Sequence, residues 1–216
     1  MELIGMLDSP YVRRVAISLQ LLGLRFTHRP LSVFRNFDEF TGVNPVVKVP
    51  TLVCDDGTVL MDSTLILDYA ERLAPAARPL WPAALPERQQ ALRVVGLALA
   101  ACEKSVQIVY ETRLRPEDKR HAPWVGRIQT QVLAAYRELE GELARSPLSA
   151  AAEAIDQAGI STAVAWRFTR EMVPEAVPAG EFPSIAAFSA KAELLPQFQA
   201  AQYGSGTYVD TPGSPA

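Results

Sequence analysis

Cysteine and histidine are scarce in this sequence, which has 2 of each among its 216 residues. Cys54 and Cys102 lie far apart, and neither belongs to a Cys-x-x-Cys pair. A disulfide framework and a structural zinc site are therefore not expected, and no metal cofactor is predicted. Such cysteine usage suits a reducing compartment, so a cytoplasmic location is expected.

Long uninterrupted apolar runs are also missing. Charged residues interrupt the apolar stretches well before the roughly 20 residues that a membrane helix needs. The first residues, Met1 to Gly5, do not combine a basic segment with an apolar core, so a signal peptide is not expected. The sequence predicts no association with a membrane.

No charge of one sign dominates, since 21 Lys and Arg residues face 24 Asp and Glu residues. The densest basic spots are Arg13-Arg14 and the segment from Arg113 to Arg120. Neither spot has the interleaved aromatic residues of a nucleic-acid-binding surface. Solvated helix faces explain them more simply, so no nucleic-acid partner is predicted.

Residues 1–74 alternate between strand and helix patterns. Short apolar runs predict strands at Leu3–Met6, Phe26–Leu31, Val49–Val53 and Val59–Met61. Apolar residues at helical spacing predict helices that begin near Ser9, Phe34 and Ser63. Asp55-Asp56-Gly57 is a hairpin turn signal between the last two strands. The order βαβαββα, which opens with a parallel βαβ unit, predicts an α/β thioredoxin-like domain over residues 1–76.

The second part of the chain carries helical patterns only. Prolines concentrate in residues 74–86, which predicts a linker at 77–86. Residues 87–216 are then expected to form an all-helical domain with a C-terminal tail. Two long amphipathic helices precede three shorter ones, predicted at Ser161–Met172, Pro183–Ala192 and Glu193–Ala201. The tail is rich in Gly, Pro and Ser, and Tyr203 and Tyr208 are its expected anchors.

Several motifs along the chain resemble segments of the soluble glutathione transferases. Ser9-Pro10-Tyr11-Val12-Arg13-Arg14-Val15 is similar to the active-site segment of the serine-type classes. The stretch from Asn44 to Leu52 is similar to the segment that binds the glutathione backbone, and the stretch from Leu60 to Tyr69 to the acidic-Ser segment. Phe182-Pro183-Ser184-Ile185 and Leu195-Pro196-Gln197-Phe198 resemble the last helices of bacterial members. The resemblance implies that glutathione is the co-substrate.

The resemblance implies that Ser9 donates a hydrogen bond to the thiolate of glutathione. A free thiol has a pKa of about 8.5, so a hydroxyl donor at a positive helix end would raise the fraction ionised. Read by itself, Ser9 is more simply a helix N-cap. Tyr11 is the rival hydroxyl, although the family commonly has an aromatic packing residue there. No cysteine occupies residues 7–11, which disfavours the cysteine-type classes.

The resemblance also implies a set of residues that bind glutathione. Pro50 would form a cis bond that turns the Val49 backbone towards the cysteinyl group. Ser63 would receive the γ-glutamyl carboxylate at a helix start, and Asp62 the ammonium group. The glycine carboxylate would meet a basic residue, for which Lys48 matches by position and Arg35 matches loosely, with Asn36 as a competitor.

The electrophile would lie between the first loop and the helical domain. Its expected neighbours are Leu7, Tyr11, Val106, Tyr110 and Arg113, and an apolar pocket would favour hydrophobic electrophiles. Conjugation, with peroxide reduction as an additional activity, is the predicted function. The alternatives are a non-catalytic binding protein and a glutathione-dependent isomerase or dehalogenase, and the sequence does not identify the physiological electrophile. The family is usually dimeric, so a homodimer is expected.

The central helix departs from the family pattern. Its family members often begin this helix with a Ser/Thr-x-x-Asp capping box. Ser161 would supply the cap here, and Val164 stands where the acid would be. The reciprocal half of the box is therefore predicted to be missing.

Overall fold

The structure is a computed structural model that describes residues 1–204 and 206–208. The chain forms two compact units. The first unit combines residues 1–80 with the segment that starts at Leu194, and the second comprises residues 81–193. The segment after residue 193 thus packs with the N-terminal unit, whereas the sequence placed it in the helical domain over 87–216.

The first unit contains a four-stranded sheet in the order β2-β1-β3-β4. Its strands are β1 (Glu2–Ile4), β2 (Thr27–Arg29), β3 (Thr51–Val53) and β4 (Val59–Met61). β1 and β2 run parallel, and β3 runs antiparallel to both β1 and β4. This mixed sheet confirms the predicted thioredoxin-like topology. β3 starts two residues later than predicted, since Pro50 has no N–H to give to the ladder.

Three helices accompany the sheet: α1 (Pro10–Leu21), α2 (Phe37–Thr41) and α3 (Ser63–Leu73). The predicted apolar face of α1 is buried, and so are the neighbouring Arg13 and Arg14, each only 1% exposed. Charged side chains are rarely buried unless they have hydrogen-bond partners. The partners of these two arginines connect α1 to different parts of the unit.

The second unit is helical, as predicted. It contains α4 (Leu85–Val109), α5 (Ala122–Arg145), α6 (Gln157–Met172) and α7 (Pro183–Ala192). A π-helical turn, Tyr110–Leu114, follows α4 directly. A buried polar network joins three of these helices, because Thr169 Oγ1 lies 2.8 Å from Ser105 Oγ and 2.7 Å from Tyr136 Oη. No helix in the described part of the chain has both the length and the hydropathy to cross a membrane.

The start of α6 corrects the predicted capping pattern. The helix begins at Gln157, and Asp156 is its N-cap, with Oδ1 accepting from the Gly159 N–H at 3.0 Å. Ser161 is a buried residue inside the helix and does not cap it. The third helical position is Gly159, where an added Cβ would lie 2.8 Å from Ile155 Cγ1 and 3.2 Å from Phe188 Cζ. Packing therefore leaves no room for the acidic partner of the capping box.

The carboxylate of Glu142 joins α5 to α4. Glu142 is 4% exposed and accepts from Arg93 Nε at 2.5 Å, from Gln90 Nε2 at 2.7 Å and from Arg145 Nη2 at 2.7 Å. The Arg93 hydrogen bond, followed by that from Gln90, lowers the pKa of this carboxyl to about 2. A folded-state pKa below the ordinary value of 4.5 means that the ionised group stabilises the fold above pH 4.5. This contribution is lost as the pH falls from there towards 2.

We expect Glu142→Gln to lower the free energy of unfolding by about 1–3 kcal/mol at neutral pH, the range for hydrogen bonds to a charged group. The difference from wild type should shrink as the pH falls below 4.5. Urea unfolding at neutral and acidic pH measures both effects. Glu138→Gln is the control, because Glu138 is 61% exposed and pairs with the same Arg93. Glu138→Gln should lower the free energy of unfolding by no more than about 1 kcal/mol. An equal decrease in both variants would contradict the prediction.

The C-terminal segment includes α8 (Pro196–Ala200), which contacts α1. Arg13 Nε donates to the carbonyl of Ala201 at 2.7 Å, and Nη2 donates to the carbonyl of Phe198 at 3.4 Å. The guanidinium carbon also lies 5.5 Å from the centroid of the Phe198 ring. These carbonyls lie at the end of a helix and need donors, which explains why a buried arginine holds this segment on the first unit.

Tyr208 anchors the tail, as predicted. Its ring stacks on Phe26 with centroids 4.6 Å apart, and its N–H donates to His28 Nδ1 at 3.0 Å. His28 Nε2 lies 2.7 Å from the Gly5 carbonyl, so the imidazole is neutral, with its proton on Nε2. Burial lowers the pKa of His28 and so favours this neutral form. Residues 209–216, the rest of the predicted tail, lie outside the described residues.

Candidate functional site

Ser9 is the N-cap of α1 and lies where the chain leaves the loop after β1. Its Oγ accepts from the Val12 N–H at 3.4 Å, and its own N–H donates to the Met6 carbonyl at 3.1 Å. A serine hydroxyl has two acceptor lone pairs and one proton. The cap therefore uses a lone pair only and leaves the proton available for a ligand at the positive end of the helix.

Tyr11 occupies the second position of α1 and is partly exposed. Its hydroxyl belongs to the same helical turn as Ser9. Tyr11 is thus in the neighbourhood of the candidate site, as the sequence predicted, and its role as the alternative donor stays a prediction.

The loop before Ser9 contains a carboxyl that the sequence did not single out. Burial raises the pKa of Asp8, while the Arg35 charge and the Ser9 N–H act in the opposite direction. Arg35 Nη2 lies 3.2 Å from Met6 Sδ, so the guanidinium contacts this loop. Arg35 is an exposed residue. Its predicted role at the glycine carboxylate stays a prediction, as does the competing role of Asn36, whose Oδ1 accepts from the Ser32 N–H.

The segment before β3 has the predicted cis peptide bond between Val49 and Pro50. The β1–β3 register ends at the pair of Ile4 and Thr51, so the Val49 peptide groups lie beyond this ladder. Lys48 is exposed, and its carbonyl accepts from Thr51 Oγ1 at 2.7 Å. The geometry therefore brings a lysine side chain and the Val49 backbone to the end of the sheet that leads into Ser9.

The start of α3 supplies the third part of the site. Asp62 is its N-cap, with Oδ1 accepting from the Thr64 N–H at 2.9 Å and a positive φ of 72°. A non-glycine residue with positive φ is uncommon and often belongs to a functional site. Because Oδ1 serves the cap, the second carboxylate oxygen, Oδ2, can face a cationic ligand group. Ser63, the first helical residue, is 4% exposed.

Arg14 is a buried member of this region that sequence reasoning missed. Its Nη1 donates to Ser63 Oγ at 3.2 Å and to Thr64 Oγ1 at 3.3 Å. Arg14 lies outside the predicted apolar face of α1, so no local signal in the sequence indicated that it is buried.

The predicted electrophile neighbours belong to two different units. Leu7 and Tyr11 belong to the first unit, where Leu7 is buried and Tyr11 is partly exposed. In the second unit, Val106 is partly exposed, and Tyr110 and Arg113 are exposed at the π-helical turn. Arg113 Nη2 donates to the carbonyl of Met172, the last residue of α6. An electrophile pocket formed by these residues stays a prediction.

No group of three or more His, Cys, Asp and Glu residues that could hold a metal ion occurs among residues 1–204 and 206–208. Within those ranges, the candidate site consists of hydroxyls, backbone amides, one acidic cap and basic side chains. Such groups suit a ligand that carries carboxylate and ammonium groups.

Comparison with known proteins relates the first unit to a family and the whole chain to several solved structures. Residues 3–78 match the model of the glutathione S-transferase N-terminal domain. A glutathione transferase family member from Pseudomonas fluorescens Pf-5, solved with bound S-(propanoic acid)-glutathione, is 29% identical and has a TM-score of 0.77, covering 93% of this chain and 98% of that one. A glutathione S-transferase from Methylobacterium radiotolerans, solved with glutathione sulfonate, is 25% identical with a TM-score of 0.85 and covers 98% of both chains.

A curated protein is also similar to this chain. The maleylacetoacetate isomerase of Pseudomonas aeruginosa is 30% identical over 139 residues, which cover 60% of this chain and 64% of that protein. The matched residues 3–78 include the sheet, α1 and the start of α3, and therefore all three parts of the candidate site. Residues 3–78 therefore form a glutathione S-transferase N-terminal domain, and the whole chain is similar in fold and sequence to solved glutathione transferases.

Proposed function

We propose that this protein is a glutathione transferase that conjugates glutathione to hydrophobic electrophiles, with Ser9 stabilising the reacting thiolate. The observation that carries the proposal is the Ser9 hydroxyl, which caps α1 through a lone pair, so that its proton could be donated to the sulfur. The similarity to glutathione transferases supports glutathione as the co-substrate, since two of the similar structures contain glutathione derivatives.

The reaction needs an anionic sulfur, because the thiolate is the nucleophile. Bound thiol loses its proton to solvent, and the sulfur then attacks an electrophilic carbon and displaces the leaving group. Ser9 Oγ–H would donate to the sulfur anion, and the N-terminus of α1 would add positive potential. Each pKa unit by which these groups lower the thiol pKa corresponds to about 1.4 kcal/mol of preference for the anion.

The remaining parts of the ligand have matching groups. The Val49 peptide would pair with the cysteinyl backbone as a neighbouring strand does. Ser63 and the α3 N-terminus would receive the γ-glutamyl carboxylate, and the second oxygen of Asp62 would receive the ammonium group. Lys48, with Arg35 as a second candidate, would meet the glycine carboxylate.

Binding and turnover by the wild-type protein test the proposal. Purified protein should be retained on immobilised glutathione, be released by free glutathione, and conjugate an activated aryl chloride at a rate proportional to enzyme concentration. S-methylglutathione is the matched control ligand, because it should compete for binding and form no product. Retention without turnover would favour the non-catalytic alternative, and the absence of both would overturn the proposal.

A second candidate is glutathione-dependent isomerisation of a maleyl compound. The 30% identity to a maleylacetoacetate isomerase favours it. Asp8-Ser9-Pro10 stands where that type usually has Ser-Ser-Cys, which disfavours it. Assaying the same preparation with a maleyl substrate, by loss of its absorbance, separates the two activities. A homodimer and a cytoplasmic location complete the proposal.

A further inference from the structure

We propose that Arg14 positions the two hydroxyls that receive the γ-glutamyl carboxylate, and so sets the preference of this site for thiols that carry that carboxylate. The inference rests on the glutathione site proposed above. Arg14 extends from α1, the helix capped by Ser9, to the first turn of α3. There its Nη1 donates to Ser63 Oγ at 3.2 Å and to Thr64 Oγ1 at 3.3 Å.

These contacts fix which way the hydroxyl protons point. A guanidinium only donates, whereas a hydroxyl accepts through its lone pairs and donates one proton. Ser63 and Thr64 must therefore accept on the side of Arg14, and their protons are directed elsewhere. Since Arg14 is 1% exposed, that side is the interior of the unit. The protons are thus available to a carboxylate that approaches the α3 N-terminus from outside.

The guanidinium also contributes charge at this place. It remains protonated in proteins, and a buried charge is weakly screened by salt. Its positive potential adds to that of the N-terminal end of α3. Asp62 Oδ1 caps the Thr64 N–H, and Oδ2 is the oxygen that we assign to the ligand ammonium group. The two charges of an α-amino-acid end group thereby meet opposite charges at one helix start.

Arg13 provides a control within the same helix. It is as buried as Arg14, but it donates to the carbonyls of Phe198 and Ala201 in the C-terminal segment. Replacing either arginine by methionine removes a buried guanidinium from α1 and preserves most of the side-chain volume. Only the Arg14 substitution removes donors from Ser63 and Thr64.

The test compares the affinities of two thiols, glutathione and γ-aminobutyryl-Cys-Gly, which lacks the α-carboxylate and keeps the ammonium group. Calorimetry with wild type should show a preference for glutathione of about 10- to 100-fold, as expected for a charge-assisted hydrogen-bond site. Arg14→Met should reduce this preference to about threefold or less, with KM for glutathione raised and kcat at saturation little changed. Arg13→Met should keep the wild-type preference, although it lowers the melting temperature.

A wild-type preference in Arg14→Met would overturn the inference and leave the glutathione site intact. The absence of glutathione binding by wild type would instead overturn the proposed function. If Arg14→Met does not fold, Arg14→Lys replaces it, because one ammonium group restores the charge without the planar donor fork. An intermediate preference in Arg14→Lys supports the inference, and an unchanged one overturns it.

Discussion

Ser9→Ala is expected to lower kcat/KM for conjugation by about 100-fold at neutral pH, the lower end of the usual effect of removing one donor from a developing anion. The Ser9 hydroxyl caps α1 by accepting a hydrogen bond, so its proton is not used by the cap. Its loss should raise the pKa of bound thiol by about two units, and the pH profile of kcat/KM should shift to higher pH accordingly. The rate of the variant should therefore approach that of wild type at alkaline pH. Stopped-flow or steady-state assays over a pH series measure the shift.

Two variants control this prediction. Ser9→Thr retains both the hydroxyl and a good N-cap, so it should keep a large part of the activity. Tyr11→Phe removes the rival hydroxyl and should change kcat/KM little. Full activity in Ser9→Ala together with a large loss in Tyr11→Phe would assign the thiolate to Tyr11. Loss of the cap should cost Ser9→Ala about 1 kcal/mol of stability, which urea unfolding measures separately.

Gly5→Ala is expected to lower the free energy of unfolding by about 2–6 kcal/mol, because it combines backbone strain with overpacking. Gly5 has a φ of 132°, a region that side chains rarely adopt. An added Cβ would lie 2.6 Å from Val12 Cγ2 and 2.8 Å from Val49 Cγ1. Both neighbours belong to the candidate site, so the movement that relieves the clash should also weaken glutathione binding.

Gly57→Ala separates strain from overpacking. Gly57 also has a positive φ, of 85°, but no atom lies within 4 Å of the position of an added Cβ. Gly57→Ala should lower the free energy of unfolding by only about 1–2 kcal/mol, the cost of placing a side chain in the left-handed conformation. Urea unfolding of both variants measures the difference, and calorimetry with glutathione measures the effect on the site. Equal losses, with unchanged glutathione affinity in Gly5→Ala, would show that contacts with Val12 and Val49 do not matter.

Local signals predicted the first unit well. The short apolar runs, the Asp55-Asp56-Gly57 turn and the cap at Ser9 are short-range features, and the structure contains each of them, with strand ends within two residues of the prediction. The cis bond at Pro50 was accessible only through the family resemblance. It depends on how its segment packs against the rest of the unit, which the spacing of apolar residues does not record.

The sequence patterns led to wrong predictions where residues that usually face solvent are buried. Arg13 and Arg14 read as a solvated basic spot, because isolated charges normally face water. Their acceptors lie 49 to 188 residues away along the chain, and no local pattern shows them. The start of α6 was misplaced for a related reason. Its first turn is as buried as the rest, so the change from polar to apolar that usually marks a helix start is missing at Asp156.

The hydrogen-bond acceptors of the two arginines become available at different stages of chain synthesis. Arg14 meets Ser63 and Thr64 within the first 64 residues of the chain, early in synthesis. The acceptors of Arg13 at Phe198 and Ala201 emerge only after residues 81–193, which form the whole second unit. A nascent or excised fragment that ends at residue 80 therefore contains a guanidinium meant for burial and none of the carbonyls that accept its hydrogen bonds. The first unit therefore cannot form from one continuous stretch of the sequence, because it combines residues 1–80 with the segment that starts at Leu194.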